Sequence, residues 1–147
     1  MIHRISISVE DIIKEAINQN SQDFRGLRTL KPEFDAVFED FVATTDDTEA
    51  INSQIKNISA RIYQEIKSYV SQWYVDAEVC YYINSDVESI SLEQILRNTL
   101  VYAILSWWYQ IRMPELSASY NDKYTIELSA LRAAVVPKFY QRRLRHF

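Results

Sequence analysis

One glycine, Gly26, serves a chain of 147 residues, and that scarcity constrains the fold more than any other feature of the sequence. Primed hairpin turns need positive φ and lean on glycine. A chain that nearly lacks it is expected to avoid hairpin-rich β folds, and it has no glycine loop to cradle a phosphate. The three prolines, Pro32, Pro114 and Pro137, fall where helices would start or stop. The expected class is all-α: a small bundle of four to five helices with an extended basic C-terminal tail.

Hydrophobic spacing fills in that outline. Ile2, Ile5 and Ile7 suit a short extended arm. Ser8 is placed to cap a first helix with Asp11 in its first turn, and Val9, Ile12, Ile13, Ala16 and Ile17 form its stripe. This helix is expected to fade through "NQNSQDFRG". A second short helix opens at Pro32, with Phe34, Val37, Phe38 and Phe41 on one face. Asp46 and Glu49 make a capping box for the longest predicted helix, residues 47–75. Its stripe runs Ile51, Ile55, Ile58, Ile62, Ile66, Tyr69, Trp73.

Val79, Tyr81 and Ile83 then alternate, which fits a short strand or an extended linker. Ser91 and Gln94 form another capping box, for a helix over 92–112 that is apolar nearly all round and therefore central or interfacial. Pro114 ends it and opens an antiparallel partner over 115–136. Leu116, Tyr120, Tyr124, Leu128, Leu131 and Val135 line that partner, and Pro137 stops it. Trp107 or Trp108 in such a core is expected to cost about 3–5 kcal/mol on truncation to alanine.

Charge is unevenly distributed. The net charge is −4. Glu33 to Glu49 holds seven acids and no base, a solvated face or a surface for a basic partner. From residue 128 onward the charges are Arg132, Lys138, Arg142, Arg143 and Arg145, with no acid. Phe139, Tyr140 and Phe147 are interleaved with them. Arginine and aromatic side chains are the types that anchor protein interfaces, and they also suit phosphates and bases. The remaining −9 opposes DNA binding as the main role. A small helical DNA-binding protein using the basic tail is the alternative reading.

Catalytic and metal chemistry find little here. His3 and His146 stand far apart in sequence and are expected to be exposed. Cys80 is single, so it forms no intramolecular disulfide and builds no cysteine metal site; a buried inert thiol is expected. Neighbouring acid pairs such as Glu39/Asp40 and Asp46/Asp47 point to different sides of a helix. No HExxH pattern or EF-hand loop is present. The chain is expected to be non-enzymatic, with no catalytic residues, no metal and no cofactor. The apolar run 100–109 covers about 15 Å as a helix, half a bilayer core, so no membrane partner is expected, and no signal-peptide pattern stands at the start.

The second half carries a resemblance. A Trp-bearing apolar helix, "LEQILRNTLVYAILSWWYQIR", is followed by the turn "MPE". The tyrosine-containing helix "LSASYNDKYTIELSALRAAVV" comes next, and then the basic "PKFYQRRLRHF". This succession resembles the head–tail connector proteins of tailed bacteriophages and related prophages, the adaptor or neck rings beneath the portal. The resemblance implies a helical bundle domain over 1–137 and a portal-gripping tail over 138–147. It implies a homo-oligomeric, dodecameric ring whose partners are the portal protein and other neck or tail proteins. Lys138, Phe139, Tyr140, Arg142, Arg143, Arg145 and Phe147 become the partner-binding residues. The implied location is the virion, at the head–tail interface, and the host cytoplasm during assembly. DNA would at most pass through the lumen, past an acidic wall drawn from residues 33–49.

Overall fold

A computed structural model of the chain describes residues 1–30 and 42–137. Their order is β1 (Ile2–Ser8), α1 (Val9–Leu30), α2 (Thr48–Ile66), β2 (Val70–Val75), β3 (Glu78–Asn84), α3 (Ser89–Arg112) and α4 (Pro114–Val135). Short 3-10 turns, Thr45–Asp47 and Lys67–Tyr69, flank α2. The all-α expectation is therefore corrected: among the described residues four helices pack on a three-stranded antiparallel sheet, an α+β fold.

The sheet runs in the order β1-β3-β2. Ile5 faces Tyr81, Ile7 faces Val79 and Trp73 also faces Tyr81 across the ladders. Side chains alternate between faces along a strand. One face, with Ile5, Ile7, Val79, Tyr81 and Ile83, is buried. The opposite face carries Arg4, Ser6, Tyr74, Glu78 and Tyr82. Helices on one side of an antiparallel sheet are the α+β solution to burying a single apolar face.

The arm at residues 2–8 becomes a full strand because β3 offers it a partner, and the alternation at Val79, Tyr81 and Ile83 is borne out. The hairpin between β2 and β3 forms without glycine. No described residue takes a positive φ. Instead Asp76 N donates to Glu78 O at 3.0 Å, and Val9 N, at the start of α1, donates to Ala77 O at 3.0 Å. The start of the helix closes the turn.

The helix expected over 47–75 stops at Ile66. Tyr69 lies in a 3-10 turn and Trp73 in β2. The segment after Lys67 is β-branched and aromatic, which favours a strand. Trp73 reaches the core from the sheet and stacks between Tyr63 and Tyr81, with ring centroids 5.3 and 6.1 Å away. The spacing 66, 69, 73 satisfies a helical period while the strand alternation of Trp73 and Val75 satisfies the same core. A register shift between Val70 and Gln72 marks a bulge where the chain turns into the strand.

Capping also departs from expectation. Ser8 does cap α1, accepting from Asp11 N at 3.4 Å. The Asp46–Glu49 box does not form: Asp47 is the residue before α2, and its Oδ2 accepts Thr44 N at 2.9 Å. Helix α3 begins at Ser89, so Ser91 lies inside it. Helix α1 runs on to Leu30 instead of fading, because one side of that stretch faces inward. Phe24 is buried, and Asn20 is buried and hydrogen-bonded. The expected short helix at Pro32 lies outside the described residues.

The remaining core follows the stripes. Ile51, Ile55, Ile58, Ile62 and Ile66 of α2 are all buried. Helix α3 buries Leu92, Leu96, Leu100, Ile104 and Trp108, whereas Trp107 is only partly buried and Ile111 is exposed. Met113 and Pro114 turn the chain, and α4 returns along α3. Ser117 Oγ donates to Ser106 O at 2.7 Å across that pair.

Candidate functional site

The residues singled out for partner binding, Lys138, Phe139, Tyr140, Arg142, Arg143, Arg145 and Phe147, lie outside the described residues. Their root is described. Helix α4 ends at Val135, and Ser85 Oγ, just past β3, donates to Ala134 O at 2.6 Å. Ser85 N donates to Met1 O at 3.0 Å, and the His3 ring pairs with Ser85 O at 3.2 Å. Arg132 forms an ion pair with Glu65 of α2. The basic segment therefore leaves from a firmly tied pole of the sheet, where β1 starts and β3 ends.

His3 is half-buried in that arrangement rather than exposed as expected. His146 lies outside the described residues. Cys80 is fully buried, as expected of an inert thiol. It sits on the outer side of β3 among Arg4, Tyr74 and Glu78. Arg4 donates to Glu78 Oε1 at 2.7 Å and to Tyr74 Oη at 3.3 Å. The Ser6 and Tyr74 hydroxyls, with the Arg4 guanidinium, hold the Glu78 carboxyl below its usual range. Among the described residues no group of histidine, cysteine and acid side chains could hold a metal ion. Likewise no helix is long and apolar enough to cross a membrane.

A buried polar cluster escaped the sequence reading. Tyr109 and Tyr120 both donate to Asp23 Oδ2, at 2.8 and 2.6 Å. Asn20 Nδ2 donates to Tyr109 Oη at 2.9 Å, and Ala43 N donates to Asn20 Oδ1 at 2.6 Å. The tyrosine rings stack at 5.7 Å. Burial, reinforced by the Asp23 carboxylate, pushes both phenols well above their ordinary range. Four segments meet here: α1, α3, α4 and the stretch before α2. The i, i+3 spacing of Asn20 and Asp23 inside an otherwise polar run was the available signal.

No family model, curated protein or solved structure matches this chain.

Two surface grooves are formed by the described residues. The larger, about 900 Å³, lies between α2, α3 and α4. Trp107, Ala103 and Ala118 supply apolar lining, and Gln54, Asn57 and Asn121 supply amides; Arg61 is the one charged lining residue among the described residues. The smaller, about 600 Å³, lies where the starts of α1 and α2 meet the β2–β3 turn. Val9, Ile13, Ile17 and Ala77 give it an apolar floor, and Glu10 and Asp76 stand on its rim. Asn52 also lines it, with an enclosed Oδ1 that finds no hydrogen-bond partner among the described residues. The described lining of the larger groove includes no carboxylate, and in the smaller one Glu10 is paired with Lys14 at 3.0 Å. Both suit the docking of a chain segment.

Proposed function

We propose that this chain is a non-enzymatic assembly protein of a tailed phage, a ring-forming head–tail connector between portal and tail. It acts in the virion, with the portal protein and other neck or tail proteins as partners. The mechanism is geometric. Compact α+β bodies pack around an axis, and each basic, aromatic segment over 138–147 anchors on the portal or on an adjoining copy. No step of it needs a cofactor.

One observation carries this reading. The acid-free segment with Lys138, Arg142, Arg143 and Arg145 follows a helix whose end is bolted to the sheet by Ser85 and, through Arg132, to Glu65 of α2. A rigid root reduces the entropy lost when the anchor docks. The strands that make the fold α+β all lie before α3, within residues 2–84. The helical pair that carries the resemblance, α3 and α4, stands as expected.

The test is co-expression with the portal protein of the phage or prophage that encodes this chain. A connector is expected to co-purify as a ring of defined mass, and removal of residues 138–147 is expected to abolish the complex. A chain that ignores the portal yet binds duplex DNA in a salt-sensitive way would overturn the reading in favour of the DNA-binding alternative.

A further inference from the structure

The smaller groove and the root of the basic segment lie at opposite ends of the same sheet. The root is at the start of β1 and the end of β3, beside Met1 and Ser85. The groove is at the other end, lined by Ser8, Val9, Asp76 and Ala77. Strand β1 has seven residues, so the two are separated by about 23 Å at ~3.3 Å per residue.

The groove matches the chemistry of the segment. Its floor is Val9, Ile13, Ile17 and Ala77, which suits Phe139, Tyr140, Leu144 or Phe147. Its rim is acidic. Glu10 and Asp76 line it, and Asp11, Asp47 and Glu49 are their immediate neighbours or flank Thr48 of the lining. Lys14 is the one basic lining residue among the described residues, and it already pairs with Glu10 at 3.0 Å. The starts of α1 and α2 add about half a positive charge each, too little to offset the acids. The segment 138–147 brings four arginine and lysine side chains and no acid.

Chain length decides whose groove is filled. Ten residues reach about 33 Å fully extended. Running back along its own body would consume about 23 Å of that and leave roughly three residues to dock. On a neighbour placed head to tail the opposite poles meet, and the whole segment is free to seat.

We infer that residues 138–147 of one copy dock in the α1–α2–hairpin groove, beside Glu10 and Asp76, of the next copy of this chain. The contact is heterologous, the type that closes into rings when the rotation allows. This deepens the proposed function and rests on its ring reading.

Two full-length variants test it. Glu10→Lys with Asp76→Lys spoils the groove and leaves the segment intact; both positions are exposed, so the fold should persist, as circular dichroism will report. Arg142→Glu with Arg143→Glu spoils the segment and leaves the groove intact. Self-association is read by light-scattering mass against concentration. Each variant alone is expected to associate at least about tenfold more weakly than wild type. Mixed together, the two are expected to give a one-to-one dimer that grows no further, because one competent groove meets one competent segment. A groove variant that assembles like wild type, or a mixture that stays monomeric, overturns the docking while leaving the ring reading intact. A wild-type chain that stays monomeric both alone and with the portal overturns both.

Discussion

Replacing Asp23 by alanine isolates the contribution of the buried cluster. The carboxylate accepts the hydroxyl protons of Tyr109 and Tyr120 through one oxygen, at 2.8 and 2.6 Å. Both tyrosines are buried, Tyr109 completely, so each hydroxyl loses its acceptor. Orphaning a buried donor costs about 1–3 kcal/mol. Asp23 itself is only half-buried, so water can follow the truncated side chain, which places each donor near the lower end. The expected loss is about 2–3 kcal/mol for the pair, or about 6–9 °C in melting temperature for a domain of this size. Thermal unfolding followed by circular dichroism measures it. A second comparison removes the ambiguity of truncation: on a background carrying Tyr109→Phe and Tyr120→Phe, the Asp23→Ala change should cost under about 1 kcal/mol, because the donors it served are gone. If Asp23→Ala melts within about 2 °C of wild type, or costs as much on the double-Phe background, the shared carboxylate does not hold α1 against α3 and α4.

Trp108→Ala should cost about 3–5 kcal/mol by urea unfolding, and Trp107→Ala clearly less, since Trp108 is buried and Trp107 only partly so. Gly26→Ala should stabilise by about 0.5–1 kcal/mol, because Gly26 lies within α1 and an added Cβ meets nothing within 4 Å. Stability should fall as pH rises above about 10, the ordinary tyrosine value. There the unfolded chain ionises its phenols while burial keeps Tyr81, Tyr109, Tyr120 and Tyr124 protonated in the fold, so the native state binds more protons and loses ground. Urea midpoints at neutral and strongly alkaline pH will show this, and Tyr109→Phe should flatten the dependence.

The helical stripes of the back half were legible because one mechanism set them. Leu92 to Trp108 and Tyr120 to Val135 repeat at the helical period, and Pro114 separates them. The sheet was harder to read. Ile5 and Ile7 sit on a seven-residue strand whose partner lies more than seventy residues later, a pairing that local pattern does not encode. Trp73 satisfied two periods at once, so its spacing could not distinguish the end of a helix from a strand. The scarcity of glycine misled for a definable reason: the hairpin at Asp76–Ala77 closes by donating and accepting through ordinary backbone geometry, with the start of α1 as the outside partner. Asn20 and Asp23 were read as the fading of a helix, since polar side chains that turn inward onto tyrosine hydroxyls look from the sequence like any solvated run. Of the candidate site, the composition of 138–147 was readable, whereas the acidic-rimmed groove needed three separated segments to be placed together.

The pairing of β1 with β3 has a consequence for biosynthesis. IHRISIS leaves the ribosome well ahead of its partner: Asn84, which faces Ile2 across the ladder, is polymerised some eighty residues later. At 5–20 residues per second that delay is roughly 4–16 s. For that interval the nascent protein trails an apolar, unmatched ribbon edge, the sort of segment that chaperones capture and that seeds misassembly when translation stalls.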